Sequence, residues 1–121
     1  MKAGRRNHLY FVRAGDAGPI KVGVTTDPYS RLQCLQTAHY EQLEMLACVE
    51  APVAMEALVL SRFAPAVIRG EWLWPVPMFL QTIDEFKSGT RTPTLLRRDA
   101  HAQVRLWLLD ELADLGVLPT R

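Results

Sequence analysis

A phenol, an ammonium and a bare stretch of backbone fall on one face of the hairpin encoded between residues 8 and 25. His8-Leu9-Tyr10-Phe11-Val12 and Ile20-Lys21-Val22-Gly23-Val24-Thr25 carry β-branched and aromatic residues in alternation, which predicts two strands. Between them Ala14-Gly15-Asp16-Ala17-Gly18-Pro19 is rich in turn-formers. Strand side chains alternate between faces, so Tyr10 shares a face with His8 and Val12. Lys21, Gly23 and Thr25 share one face of the second strand, while Ile20, Val22 and Val24 take the other. The face with Tyr10, Lys21 and Gly23 is where chemistry is expected. A free phenol has a pKa of about 10 and is a poor base at neutral pH. A cation beside it favours the ionised form and makes it a better one.

The rest of the chain must position that face. Asp27-Pro28 is a helix-start signal, an acceptor at the N-cap with Pro at the first helical position. Leu32 and Leu35 follow at helical spacing and predict a helix over about residues 28 to 37. Residues 43 to 50 read as a third strand. Pro52 opens a second helix whose apolar side is Met55, Leu58, Val59 and Phe63, and Pro65 ends it. Residues 67 to 74 form a short extended stretch with a turn at Gly70. Pro75 opens a third helix to about Lys87. A linker at 88–93 leads to a last helix over about residues 95 to 115, with Val104, Trp107, Leu108, Leu112 and Leu115 as its stripe. The expected fold is α/β: a small central three-stranded antiparallel sheet flanked by helices, with residues 1–88 as the domain and 89–121 as a C-terminal helical extension.

At 121 residues, with 49% apolar and 22% charged, the chain is the size of one globular domain. It has no apolar run near 18 residues, which excludes a membrane-spanning helix. The basic start is not followed by a long apolar segment, so it does not read as a secretory signal. Cys34 and Cys48 make neither a disulfide framework nor a zinc motif. They read as reduced core residues of an intracellular protein. The net charge is +1 but unevenly spread: residues 1–40 hold six basic groups against two acidic, and residues 87–105 hold five against one. Residues 41–64 reverse the balance, with four acidic groups and one basic. A polyanion would meet two basic segments with an acidic element between them.

The order hairpin, helix, strand, helix resembles the GIY-YIG nuclease superfamily. Leu9-Tyr10 stands where that family has its first Ile-Tyr, with His8 in place of Gly. Lys21-Val22-Gly23 stands where it has Tyr-Ile-Gly, and Arg31 lies where the family's helix arginine does. The chain is more closely similar to the phage-type branch, often labelled a phage DNA-binding domain. That branch has Lys-Ile-Gly, a Thr/Ser-Asp-Pro segment, Arg-Leu, Leu-Gln-Thr, a helix Glu-x-x-Leu-His-x-x-Phe, and Gly-Glu-Trp-Phe. Here these are Lys21-Val22-Gly23, Thr26-Asp27-Pro28, Arg31-Leu32, Leu35-Gln36-Thr37, Glu56 to Phe63, and Gly70-Glu71-Trp72-Leu73. The resemblance covers about residues 8 to 86. It departs from the family at Leu60, which replaces the helix histidine, and at Lys21, which replaces the superfamily's second tyrosine.

The resemblance implies a metal-dependent DNA endonuclease. Phosphodiester hydrolysis needs a nucleophile, positive charge on the pentavalent phosphorane and help for the leaving oxygen. Glu56 is the implied ligand of Mg²⁺ or Mn²⁺, an ion that a single carboxylate can hold because water and phosphate oxygens complete its shell. Tyr10 is the implied general base, Lys21 holds the phenol or the water, and Arg31 sets its planar fork on the phosphorane. Gly23 keeps the sheet low for a phosphate, and Arg13, Arg69, Arg97 and Arg98 are candidate DNA contacts. Taken singly, Tyr10 is an ordinary half-buried strand tyrosine, Lys21 and Arg31 are surface cations, and Glu56 is a boundary residue. Glu71 is a candidate second carboxylate, but its place beside Gly70 and Trp72 reads first as structural; Trp72 and Trp74 read as core plugs, and His39 as a lone loop histidine. Two other functions stay open: a nuclease fold that binds nucleic acid without cutting, and a protein-binding module, phage-encoded and using the last helix toward a partner or a second copy.

Overall fold

The computed structural model describes residues 6–98 and 101–117. Lys2, Arg5 and positions 99–100 of the expected last helix lie outside the described residues. The hairpin forms as β1 (His8–Ala14) and β2 (Ile20–Thr25), antiparallel, with Tyr10 opposite Gly23 and Val12 opposite Lys21. Helix α1 (Pro28–Thr37) follows, and β3 (Leu43–Glu50) returns along the other side of β1. Then come α2 (Ala54–Arg62), β4 (Val67–Arg69), β5 (Trp72–Leu73), α3 (Pro77–Lys87) and α4 (His101–Asp114), with short 3-10 turns at 64–66 and 94–96.

The sheet has five strands rather than three, in the order β3-β1-β2-β5-β4, every pair antiparallel. The difference lies in the stretch after Pro65. Gly70 turns with φ 58°, a conformation that favours glycine, and the flanking residues fold back as a two-strand ribbon. The ribbon docks on the outer edge of β2, where the Val22 N–H donates to the Glu71 carbonyl at 3.0 Å. Only Ile20 and Lys21 pair with β5, so the sheet is narrow beside Gly23 and Thr25.

Alternation divides the apolar residues between two faces. Leu9, Phe11, Ile20 and Val22 join Val59, Phe63, Phe79, Ile83 and Phe86 in the main core. Phe79 meets Phe11 edge-on, with centroids 5.9 Å apart. The opposite face holds a smaller cluster, Tyr10, Val12, Ala14 and Leu43, covered by the half-buried Leu32 and Leu35 of α1. Helix α1 buries no residue completely and is set by its start instead: Asp27 accepts from the Ser30 N–H at 3.1 Å, with Pro28 at the first position.

Helix α3 begins at Pro77 rather than Pro75, and the Met78 N–H of its first turn donates to Glu111 of α4 at 2.9 Å. The expected last helix is broken. Leu95 and Leu96 enter the core from a 3-10 turn, and α4 starts at His101. Val104, Leu108 and Leu112 are buried, while Trp107 and Leu115 face solvent at 45% and 47% exposure. The i, i+4, i+8 spacing of the three buried residues forms one row, and Trp107 lies off it. Leu58 of the predicted α2 stripe is also exposed, at 40%. Arg62, only 7% exposed, joins α2 to the turn before α4. Its guanidinium donates to the carbonyls of Leu95 at 3.1 Å, Leu96 at 3.2 Å and Arg97 at 2.6 Å. No helix among the described residues is long and apolar enough to cross a membrane.

Candidate active site

Register brings Tyr10 and Gly23 face to face across β1 and β2. Gly23 is not a bare landing place for phosphate, because the phenol occupies that space. A Cβ built there would stand 2.3 Å from both the Cζ and the hydroxyl oxygen of Tyr10. The glycine is there to admit the ring. Tyr10 is fully buried, and its hydroxyl has no hydrogen-bond partner. A buried hydroxyl without a partner carries a desolvation cost of about 1–3 kcal/mol, so packing alone does not explain a tyrosine at this position.

Lys21 is on the same face and lies close to the phenol, with Nζ 5.9 Å from the ring centroid of Tyr10. Its side chain is only 13% exposed, and its ammonium donates to Glu71 Oε1 at 2.5 Å. The β4–β5 ribbon carries Glu71 to this point, since the same residue bonds β2 through its backbone carbonyl. Glu56, in the first turn of α2, brings a second carboxyl to the first. A hydrogen bond to Glu71 is the main reason that its pKa rises to about 7; partial burial and the Glu71 charge add to it, and Lys21 opposes. Glu71 moves down, chiefly because protonated Glu56 donates to it, and further through the Lys21 hydrogen bond and the charges of Lys21 and Arg31. Neighbouring carboxyls do not both ionise freely, so Glu71 ionises first and Glu56 keeps its proton to higher pH.

Tyr10, Lys21, Glu71 and Glu56 are therefore linked neighbour to neighbour, with the charge of Arg31 felt at Glu71 from exposed α1. Glu71 is the member that sequence reading placed in a structural role. Its signal was available, since it is a carboxylate two positions from the end of a glycine-turned ribbon, but which strand the ribbon joins is not legible locally. The remaining candidates lie elsewhere. Arg13 alternates to the other face of β1 and donates to the Gly18 carbonyl in the hairpin turn at 3.3 Å. Arg69 is exposed at the end of edge strand β4, and Arg97 and Arg98 are exposed beyond the Leu95–Leu96 turn. That turn is held by the Arg62 end of α2, about 9 Å along the helix from Glu56 at about 1.5 Å per residue.

Trp72 and Trp74 are half-buried rather than core plugs, and Trp72 packs against His39 with centroids 5.3 Å apart. Cys34 is exposed and Cys48 half-buried, both as free thiols, so neither is a core residue in full. A cleft of about 340 Å³ lies beside the start of α2, lined by Val49, Pro52, Met55, Phe86 and Arg91 among others, and none of the linked residues lines it.

No family model matches the chain, and neither curated proteins nor solved structures match it.

The donor set can be tested for a metal on its own chemistry. Among the described residues no group of three or more His, Cys, Asp and Glu side chains is gathered for an ion. Two carboxyls are gathered, Glu56 and Glu71, both partly exposed. Hard oxygen donors in that number fit Mg²⁺, which keeps most of its water and takes one or two carboxylates. They do not fit a structural zinc site, which wants four nitrogen and sulfur donors.

Proposed function

We propose that this protein is a metal-dependent endonuclease that hydrolyses phosphodiester bonds in DNA, of the GIY-YIG kind that its motifs resemble. The observation that carries the reading is the linked set of Tyr10, Lys21, Glu71 and Glu56 with Arg31 at its rim. Packing does not call for it: two carboxyls are set against each other beside a half-buried ammonium, and a buried hydroxyl goes unpaired.

Glu56 and Glu71 would hold Mg²⁺ or Mn²⁺, which when bound supplies positive charge for the phosphate oxygens. Arg31, exposed on α1, faces the incoming phosphate with a planar fork that fits two of its oxygens. Lys21 holds Glu71 and keeps an ammonium beside the phenol ring. Tyr10 takes the proton from the attacking water. Its hydroxyl is sealed in the structure described, so water reaches it only when neighbouring side chains on the α1 side shift, a rearrangement of the kind substrate binding supplies. The arginines at 13, 69, 97 and 98 are spread over separate parts of the surface, which suits backbone contact better than reading of bases.

Incubation of supercoiled plasmid with the protein in Mg²⁺, beside EDTA and beside Glu56→Gln, tests the reading. Nicking in Mg²⁺ alone, lost in the folded variant, supports it. Salt-sensitive DNA retention without nicking at any metal concentration would leave a binding module on this fold.

A further inference from the structure

The outer side of α4 carries a second apolar row that the described residues leave largely uncovered. Val104, Leu108 and Leu112 face the domain. Away from them Ala102, Leu106, Leu109 and Ala113 recur at spacings of four, three and four, the pattern of alternating d and a positions in a heptad. Ala102 and Ala113 are exposed, Leu109 is half-buried and Leu106 is 59% exposed. A single exposed leucine needs no explanation, but a heptad row along a docked helix does.

The flanking charges choose the partner. In this register Arg105 takes a g position and Asp110 the e position five residues later. Side chains so placed meet across a parallel two-helix seam and not across an antiparallel one, where g faces g and e faces e. Neither side chain makes an ion pair among the described residues. We propose that α4 pairs in parallel with α4 of a second copy of this chain, with Leu106 and Leu109 at the centre of the seam and Arg105 of each copy on Asp110 of the other. Two-fold symmetry then forms both bridges at once, as an isologous contact requires. The seam is only two heptads long and covers less than the roughly 800 Å² per partner of a standard interface, so the dimer dissociates on dilution into the micromolar range. The pairing does not depend on the nuclease reading.

Sedimentation equilibrium of the full chain from low to high micromolar concentration tests it, with circular dichroism confirming that each variant is folded. A monomer–dimer equilibrium is expected. Leu106→Glu leaves a monomer at every concentration. Arg105→Asp turns both bridges repulsive and raises Kd roughly tenfold or more, and adding Asp110→Arg restores it to within about twofold. Trp107→Ala, off the seam, leaves Kd unchanged. A monomer at the highest concentration, a dimer indifferent to Leu106→Glu, or failure of the charge swap to restore association would each overturn the proposal. Should Leu106→Glu not fold, the charge swap decides alone.

Discussion

Lys21 and Glu71, fifty residues apart in sequence, close an ion pair at 2.5 Å between the second strand and the ribbon that widens the sheet. The ammonium side chain is 13% exposed and the carboxylate side chain 42%, so removing the acid strands the more desolvated of the two charges. Glu71→Ala is expected to destabilise the domain by about 1–3 kcal/mol, and Lys21→Met to cost less, since the carboxylate it abandons can be hydrated. Urea midpoints of the two variants check the order. A larger loss in Lys21→Met would show that the pair is not arranged this way.

The contact between Tyr10 and Gly23 makes a second prediction with opposite signs on its two sides. Gly23→Ala puts a methyl where the phenol stands and is expected to destabilise by about 2–3 kcal/mol, as overpacking of a closed site does. Tyr10→Phe removes a hydroxyl that has no partner and is expected to leave the melting temperature unchanged or to raise it. Thermal melts of both variants decide; a marked fall for Tyr10→Phe would mean that the hydroxyl is bonded.

The proton that Glu56 keeps beside Glu71 gives a pH dependence. Glu56 has a folded pKa of about 7, above its usual 4.5, so the folded protein binds more protons than the unfolded chain between those values. Stability in EDTA therefore falls as pH rises from about 4.5 to about 7. Glu71 is shifted down, and its contribution is lost only as pH falls below 4.5. Glu111 is shifted up by desolvation and slopes in the same direction as Glu56. Glu56→Gln is thus expected to flatten the upper part of the profile and Glu111→Gln to leave that part in place. Denaturant midpoints from pH 4 to 8 measure both, and an unaltered slope in Glu56→Gln would contradict the retained proton.

Arg62 supports the far end of the molecule. Three carbonyls of the 95–97 turn rest on one guanidinium, so Arg62→Met leaves them unbonded in a buried place and is expected to cost about 2–4 kcal/mol. Lys cannot reproduce the fork, and Arg62→Lys is expected to recover only part of the loss. Hydrogen exchange should show protection falling first in α4.

The hairpin, α1 and the main core were legible because they depend on local rules. Period-two alternation separated Tyr10 from Phe11, and Asp27-Pro28 marked the helix start. The β4–β5 ribbon was legible as a turn at Gly70 but not as part of the sheet, because two- and three-residue strands carry too little pattern and their partner is a distant edge. The same short pattern leaves Glu71 reading first as structural and only second as a site carboxylate: its place follows from the strand beside which the ribbon lies. Gly23 was misjudged for a related reason. Alternation put it on the face with Tyr10, but only the cross-strand register sets one directly over the other. Trp107 and Leu115 fit a broad apolar stripe in the sequence, but only the row of Val104, Leu108 and Leu112 meets the core.

Tyr10→Phe, compared with the parent chain in a Mg²⁺-dependent plasmid nicking time course at matched folding, tests the central claim most directly. The variant is expected to be at least as stable as the parent and to cut about 10²- to 10⁴-fold more slowly, the loss of a positioned base. Equal cutting by the two proteins, or no cutting by the parent in any divalent metal, would contradict it.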